Sequence, residues 1–332
     1  DEKIHAGYFF YDLNGKTNYK FSDKSHLYLS AYLGNDKAYF NMKDKSDSKN
    51  KMSSMLRWGN ITSVLRWNYR LTDKLFSNTT ATYSQYKFIT KIEDNFSGDV
   101  FSMQYYSGIQ DWSGKVDFDY YPSPNHAVKT GFHVIYHTFN PGIMAIKSSS
   151  SMDIDTSFGN TKIYACEPSA YIEDDINVSR KLKANVGFRY NSFCVRKKYY
   201  QSFEPRISVR YLLAKSLSLK AAFSQMNQNI LLLTNSTIGL PTDLWLPVTD
   251  KIKPQLSLQY CLGTEYAINE SMNLSVEGYY KTMNNLLEYK EGSSYFTPEE
   301  KNNNWENKVE MGKGWSYGTE ILLQKTAGKI TG

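Results

Sequence analysis

The chain has 332 residues, a formal net charge of +6 and a mean hydropathy of −0.54. No apolar run approaches the ~18 residues that a membrane-spanning helix needs, which excludes a helical membrane protein. The charge is modest and forms no basic cluster, so nucleic acid is not expected as a partner. Cys166, Cys194 and Cys261 lie far apart without a CxxC motif, and they predict neither a zinc site nor a disulfide scaffold.

Alternating polarity along the chain predicts an all-β fold. For example, Leu217, Leu219, Ala221 and Phe223 alternate with Ser218, Lys220, Ala222 and Ser224. Alternate side chains on a strand face opposite sides, so each such strand has one apolar and one polar face. The pattern predicts about thirteen strands, at 4–21, 26–41, 58–71, 75–89, 99–121, 126–139, 161–178, 182–192, 202–213, 216–228, 255–267, 272–289 and 314–326.

The connections between these strands are short on one side and long on the other. Tight turns return about every fifty residues, at 22–25, 72–74, 122–125, 179–181, 214–216, 268–271 and 326–329. Longer polar loops are predicted between them, at 42–57, 90–98, 140–160, 193–201, 229–254 and 290–313. This asymmetry is typical of an up-and-down outer-membrane β-barrel with periplasmic turns and extracellular loops. A propeller also repeats at this period, but it fits short strands into each unit.

Aromatic residues are frequent: the chain contains 27 Tyr, 17 Phe and 6 Trp, or 15% of all residues. Outer-membrane barrels place such residues in girdles at both membrane interfaces. A soluble carbohydrate-binding β-protein would also be aromatic. The strand lengths favour the barrel, because crossing a bilayer takes ~9–11 residues per strand, whereas strands of soluble sheets average ~5–6.

Short motifs run through nearly the whole chain. The most specific begins at Gln225-Met226-Asn227-Gln228, continues through Gly239-Leu240-Pro241-Thr242-Asp243-Leu244-Trp245-Leu246-Pro247 and ends at Lys251-Ile252-Lys253-Pro254-Gln255. Others are Trp58-Gly59-Asn60-Ile61-Thr62, Lys74-Leu75-Phe76-Ser77-Asn78-Thr79-Thr80, Phe203-Glu204-Pro205-Arg206 and Tyr317-Gly318-Thr319-Glu320. In these stretches the chain resembles TonB-dependent outer-membrane receptors of the Bacteroidetes type.

The resemblance implies a barrel of about 22 strands that is closed by a plug domain, in the outer membrane of a Gram-negative bacterium. It also implies energised uptake, in which the TonB–ExbB–ExbD complex pulls on a TonB box ahead of the plug. Residues 1–332 are expected to form a single partial barrel domain, without the plug, the TonB box or the terminal strand. Outer-membrane lipid, the plug, the TonB complex and a surface lipoprotein lid are the partners that the resemblance suggests.

The polar strand faces supply candidate site residues. If the apolar faces contact lipid, a charged wall faces the lumen and contacts the plug or the substrate; any water-facing wall would also be charged. The candidates are Lys129, His133, His137, Arg189, Arg206, Arg210, Lys220, Glu265 and Glu277. His133 and His137 lie ~13 Å apart along one strand, too far for one metal ion, so neither a metal nor a cofactor is expected.

Loop 229–254 is the longest loop and contains Pro241, Trp245 and Pro247. A tryptophan beside prolines suits stacking on a sugar ring or a flat chelate. As part of a family motif, the loop is interpreted first as shaping the barrel rim and second as binding ligand.

No catalytic constellation stands out, so the chain is not expected to be an enzyme. The sequence predicts TonB-dependent active uptake of a scarce nutrient and leaves an iron chelate, a corrinoid, an oligosaccharide or a peptide open as the ligand. The alternatives are a passive outer-membrane porin and a soluble aromatic-rich carbohydrate-binding β-protein.

Overall fold

The computed structural model describes residues 2–44, 50–96, 99–149, 154–158, 162–234, 243–293 and 305–332. Within this part of the chain the strands are β1 (Glu2–Ser22), β2 (Ser25–Asp44), β3 (Lys51–Thr72), β4 (Leu75–Phe96), β5 (Asp99–Ser123), β6 (His126–Ser148), β7 (Ile154–Phe158), β8 (Ile163–Asn177), β9 (Leu182–Val195), β10 (Lys198–Ala214), β11 (Leu217–Gln228), β12 (Ile230–Leu233), β13 (Leu244–Pro247), β14 (Gln255–Asn269), β15 (Met272–Tyr289) and β16 (Val309–Lys325). A short 3-10 helix, Trp305–Lys308, precedes β16. No helix among these residues is long and apolar enough to cross a membrane.

Thirteen long strands pair antiparallel in the order β1-β2-β3-β4-β5-β6-β8-β9-β10-β11-β14-β15-β16, and with the short β7 they form one 14-stranded sheet. Each strand of this order pairs with its nearest long neighbour in the sequence, so the sheet is an up-and-down meander. β7 pairs only with β6, and β12 and β13 form a separate two-stranded hairpin. The predicted all-β, antiparallel architecture and its set of long strands are confirmed.

Several predicted loops are wrong, because the strands continue well into them. β3 begins at Lys51 rather than at 58, β4 continues to Phe96 rather than to 89, and β6 continues to Ser148 rather than to 139. The physical reason is that water contacts both sheet faces beyond the bilayer. Polarity therefore stops alternating there although the backbone stays extended.

The predicted loop 193–201 is also wrong. β9 and β10 are joined by a tight turn at Arg196 and Lys197, and Arg196 has a positive φ of 51°. The guanidinium of Arg196 lies 3.1 Å from the buried carboxylate of Glu306 in the 3-10 helix. That ion pair holds the strained turn against the segment that leads into β16.

The outer face of the sheet exposes large apolar side chains. Along the middle strands these alternate with polar residues, and examples are Phe132, Ile172, Phe188, Ile207, Leu219 and Leu262. An apolar surface this extensive is not stable in water and is the expected boundary with lipid.

The hydrophobic core lies on the opposite, inner face, at the end of the sheet that carries the long loops. There the β12–β13 hairpin packs on wall strands through buried leucines, and the aromatic rings of Phe88, Phe139 and Phe193 are fully buried beneath it. The described residues of loop 229–254, 229–234 and 243–254, therefore lie against the wall and contain regular structure, which the sequence did not predict.

Adjacent alanines of β11 test which face contacts lipid. Ala221 is paired with Leu262 on the outer face, and Ala222 is paired with Cys261 on the inner face. Ala221→Arg is expected to lower the free energy of unfolding in lipid vesicles by about 2–4 kcal/mol, the cost of a lipid-facing arginine near the midplane. Urea denaturation followed by tryptophan fluorescence measures this.

Ala222→Arg is the matched control, since it adds the same side chain to the water-filled side. Its effect is expected to stay within about 0.5 kcal/mol. Equal losses of stability in both variants would contradict the assignment of the two faces, and a larger loss for Ala222→Arg would reverse it.

Candidate functional site

The predicted wall residues all lie on the inner face, as the strand register shows. Directly paired residues in an antiparallel sheet share a face. Each of the pairs His133–Ser169, Ser169–Asn191, Arg189–Glu204, Arg210–Lys220, Ser218–Glu265 and Gly263–Glu277 joins neighbouring strands. Lys129 and His137 have the parity of His133 on β6, and Arg206 has that of Arg210 on β10. The structure therefore brings the whole set together on one wall.

The periplasmic half of this wall is polar and lines a large cavity. The cavity has a volume of about 940 Å³ and is lined by side chains from strands between β4 and β15, among them Arg210, Lys220 and Glu277. Lys220 Nζ lies 2.8 Å from Glu265 Oε2. Because strands this far apart in the sheet enclose one cavity, the sheet is curved and the charged wall is its concave side.

A second polar group lies higher on the wall, around the Glu-Pro-Arg motif of β10. Arg206 Nη2 lies 3.8 Å from Glu204 Oε2, and Ser202 Oγ donates to Glu204 Oε1 at 2.9 Å. On β9, Arg189 Nη2 donates to Ser169 Oγ at 2.9 Å. These contacts hold the two arginines along the inner face of the wall.

The hairpin has two unlike faces. Leu231 pairs with Leu246 and Leu233 with Leu244, and all four are buried against the wall. Trp245 pairs with Leu232 on the other face and is half-buried. Full burial of a leucine side chain contributes about 1.5–3 kcal/mol, so the leucine face is sufficient to keep the hairpin seated.

Polar contacts fix where the hairpin sits. At its start, Asn229 Nδ2 donates to Glu167 Oε1 at 3.1 Å, and after its end Tyr200 Oη donates to the Thr249 carbonyl at 2.5 Å. Lys251 Nζ lies 3.9 Å from Glu306 Oε2. Both ends of the hairpin are thus tied to the wall or to the 3-10 helix.

Glu167 belongs to a buried charged cluster with His137 and Asp111. His137 is fully buried, with Nδ1 2.8 Å from Asp111 Oδ1 and Nε2 3.3 Å from Glu167 Oε2. Asn191 Nδ2 donates to Glu167 Oε1 at 2.7 Å. An imidazole donates from both nitrogens only when it is doubly protonated, so this arrangement suits a histidine cation between two carboxylates.

A cleft of about 640 Å³ lies between the hairpin and the wall. Trp245 and Asp243 face it from the hairpin side, and Tyr86, Asp111 and Glu167 face it from β4, β5 and β8. Asn60, Asn227, Gln228 and Asn229 add amides, and the described lining contains no lysine or arginine. The cleft therefore combines aromatic rings, amides and carboxylates.

The remaining predicted loop residues have different positions. Pro241 lies outside the described residues. Pro247 is buried at the end of β13, where it pairs with Ile230. Trp245 is half-buried and lines the cleft, and its part in shaping the rim or binding a ligand stays a prediction.

Sequence reasoning missed Asp111 and Glu167. Glu167-Pro168 on β8 repeats the Glu-Pro dipeptide of Glu204-Pro205 on β10, and both glutamates face inward. That repeat is the signal that could have singled out Glu167. In the described part of the chain, no group of three or more His, Cys, Asp or Glu side chains is arranged to hold a metal ion.

This fold and its concave polar wall define an outer-membrane barrel of the receptor class. The family model described as "TonB dependent receptor-like, beta-barrel" matches residues 3–328. The chain belongs to this family of outer-membrane transport proteins, which are not enzymes and which reside in Gram-negative bacteria.

Solved structures show the same fold at low sequence identity. The ferric-catecholate import receptor Fiu from K12 E. coli aligns with a TM-score of 0.54 and 10% identity, covering 99% of this chain and 63% of that one. The RagAB peptide importer aligns at 0.59 and 10%, covering 99% and 47%. The copper transporter OprC aligns at 0.58 and 11%, covering 99% and 59%. The chain thus spans roughly half to two thirds of these receptors, and no curated protein sequence matches it.

His137 tests the buried cluster. His137→Phe keeps a ring of similar size but leaves Asp111 and Glu167 facing each other without a cation. Removing one partner of a buried ion pair typically costs about 3–5 kcal/mol, and a loss of this order in the free energy of unfolding is expected from urea denaturation in vesicles.

His133→Phe is the control, because His133 is on the same strand and face but only half-buried. It is expected to cost less than about 1 kcal/mol. Equal stability of the two variants would mean that His137 acts only through packing and that its charge contributes nothing to the free energy of unfolding.

Proposed function

We propose that the chain forms the lumen wall and part of the ligand-holding site of a receptor for TonB-dependent active uptake of a scarce nutrient. The observation that carries the proposal is the β12–β13 hairpin, which is folded inside the wall and encloses the cleft below Trp245. A hairpin fixed in the lumen narrows the passage and presents side chains to a solute. Family membership favours a receptor over the passive porin and the soluble β-protein.

The motor-coupling parts are proposed to lie in a plug domain with a TonB box, pulled by the TonB–ExbB–ExbD complex. The charged wall supports this proposal: Arg189, Arg206, Arg210, Lys220 and Glu277 face a lumen that a docked polar domain could fill. Lys129, His133 and Glu265 extend the same surface.

The two edge strands of the sheet support a larger barrel. β1 and β16 each pair with only one neighbour among the described residues. Unpaired backbone groups are not tolerated in lipid. We therefore propose that further strands close the barrel, as the coverage of the solved receptors suggests.

The lining of the cleft bears on the ligand. Asp111 and Glu167 are already paired with His137, and the described lining adds the carboxylate of Asp243 but no lysine or arginine, which disfavours an anionic iron chelate. Amides, carboxylates and an aromatic ring are the groups that bind a polyhydroxylated ligand, since the hydroxyls pair with the polar groups and the ring face stacks on tryptophan. We propose a neutral oligosaccharide, and a receptor of the Bacteroidetes type with a surface lipoprotein lid is consistent with that ligand.

Uptake is tested in the natural host with Trp245→Ala. The rate of oligosaccharide uptake is expected to fall about five- to 150-fold, with a matching loss of growth on limiting oligosaccharide as the only carbon source. Stacking of a nucleobase on an aromatic side chain contributes about 1–3 kcal/mol, and a similar contribution is expected for a sugar ring on Trp245. Trp112→Ala is the control, since Trp112 is 57% exposed on the outer face, and it is expected to leave growth unchanged.

A strain without TonB separates active from passive uptake. Loss of growth in that strain supports the energised receptor, whereas undiminished growth would identify a passive pore. Growth defects on limiting iron chelate or corrinoid, but not on oligosaccharide, would overturn the proposed ligand and leave the uptake mechanism standing.

A further inference from the structure

Cys166 and Cys194 are far apart in the sequence but lie directly opposite each other across the β8–β9 ladder. Opposed residues of an antiparallel pair have Cα atoms about 4.5–5.5 Å apart, which falls within the ~4.4–6.8 Å that a disulfide spans. Both side chains are on the outer face, because Cys166 also pairs with Tyr136 and Cys194 with Tyr199. The two thiols are therefore on the same side of the sheet, at the right separation.

We propose that Cys166 and Cys194 form a cross-strand disulfide in the mature receptor. The two Sγ–H bonds break and one Sγ–Sγ bond forms. The two protons and two electrons pass to the disulfide of a periplasmic thiol oxidase, which is released as a dithiol. Outer-membrane proteins pass through the periplasm on the way to their membrane, and the periplasm is an oxidising compartment where disulfides form and persist.

The position of the pair explains what the bond contributes. The β8–β9 ladder has no paired residues at Glu167 and Pro168, immediately next to Cys166. Proline has no N–H to donate to the ladder, and Glu167 turns inward to His137 and Asn229. A covalent link at Cys166 fastens the two strands where hydrogen bonding between them is interrupted, directly behind the residue that holds the hairpin.

The described part of the chain leaves both thiols uncovered, so nothing in the fold blocks the bond. Cys194 is exposed, and Cys166 is intermediate in exposure. The third cysteine does not compete, since Cys261 faces the inner side of β14 opposite Ala222 and Tyr279. The sheet itself lies between Cys261 and the pair.

The test is thiol counting in the full-length receptor carrying Cys261→Ser, so that only the pair remains among the cysteines of this domain. Thiol–disulfide exchange in isolated outer membranes is first quenched. The membranes are then dissolved in SDS and treated with a maleimide–polyethylene glycol, before and after reduction. We expect no domain cysteine to be tagged without reductant and two tags after it. Denaturation before tagging ensures that burial does not mimic a disulfide.

Mass spectrometry locates the bond. Trypsin cleaves after Lys162, Arg180, Arg189 and Arg196, which places the two cysteines on separate peptides, 163–180 and 190–196. The expected product is these two peptides joined, with the loss of two hydrogen atoms, and it should disappear on reduction.

Adding Cys166→Ser is the control, because a lone Cys194 should take one tag without reductant. Two tags without reductant in the parent, or peptides joined between two receptor copies, would overturn the proposal. Neither result bears on TonB-dependent uptake, so the test is independent of the proposed function.

Discussion

The constraint on which the rest of the structure depends is that each long strand borders two different solvents. Backbone groups inside a bilayer must be bonded to neighbouring strands, so the sheet has to be continuous there. Side chains then alternate between lipid and water, as Val209 and Arg210 do on β10, or Leu219 and Lys220 on β11. A shift of one residue in the register of these strands would place charged side chains such as Arg210 and Lys220 in lipid, and this penalty keeps the meander in order.

The same constraint explains where the hydrophobic core is. The outer apolar surface is satisfied by lipid and needs no packing partner from the protein. Above the bilayer no lipid is available, so apolar side chains there must be covered by the chain itself. Phe88, Phe139 and Phe193 face inward at that level, and the leucines of the β12–β13 hairpin cover them. The core is thus a seal between the hairpin and the extracellular end of the wall.

The strands could be predicted from the sequence where one face of the sheet contacts lipid and the other contacts water. The errors begin beyond the bilayer, where water contacts both faces. In residues 90–96 of β4 polar side chains occur on both faces, since Thr90 and Asp94 interrupt the face that carries Ile92 and Phe96, so the alternation that marks a strand is weak there. The turn at Arg196 was missed because the charged run Arg196-Lys197-Lys198 has the composition of a polar loop. Its backbone relies on an ion pair with Glu306, a residue distant in the sequence.

The candidate site was predictable in part. Alternation placed His137, Arg189 and Lys220 on the inner face, because that property is local to each strand. Burial of His137 could not be read from its own strand, since it depends on the hairpin, on Phe193 from β9 and on Asp111 from β5. The pairing of Cys166 with Cys194 likewise depends on the register of two strands, and their spacing in the sequence carries no sign of it.

The buried charged cluster acts mainly on geometry and contributes little net stability. Desolvation of ion pairs largely cancels their mutual attraction, and the leucine contacts already account for the seating of the hairpin. What the cluster adds is direction: His137 and Asn191 hold the carboxylate of Glu167 so that one oxygen is turned toward Asn229 at the start of the hairpin. Apolar contacts are non-directional and would allow the hairpin to slide along the wall. The hydrogen bond from Asn229 to this oriented carboxylate, together with that from Tyr200 to the Thr249 carbonyl, selects one position for the hairpin beside the cleft that Trp245 lines.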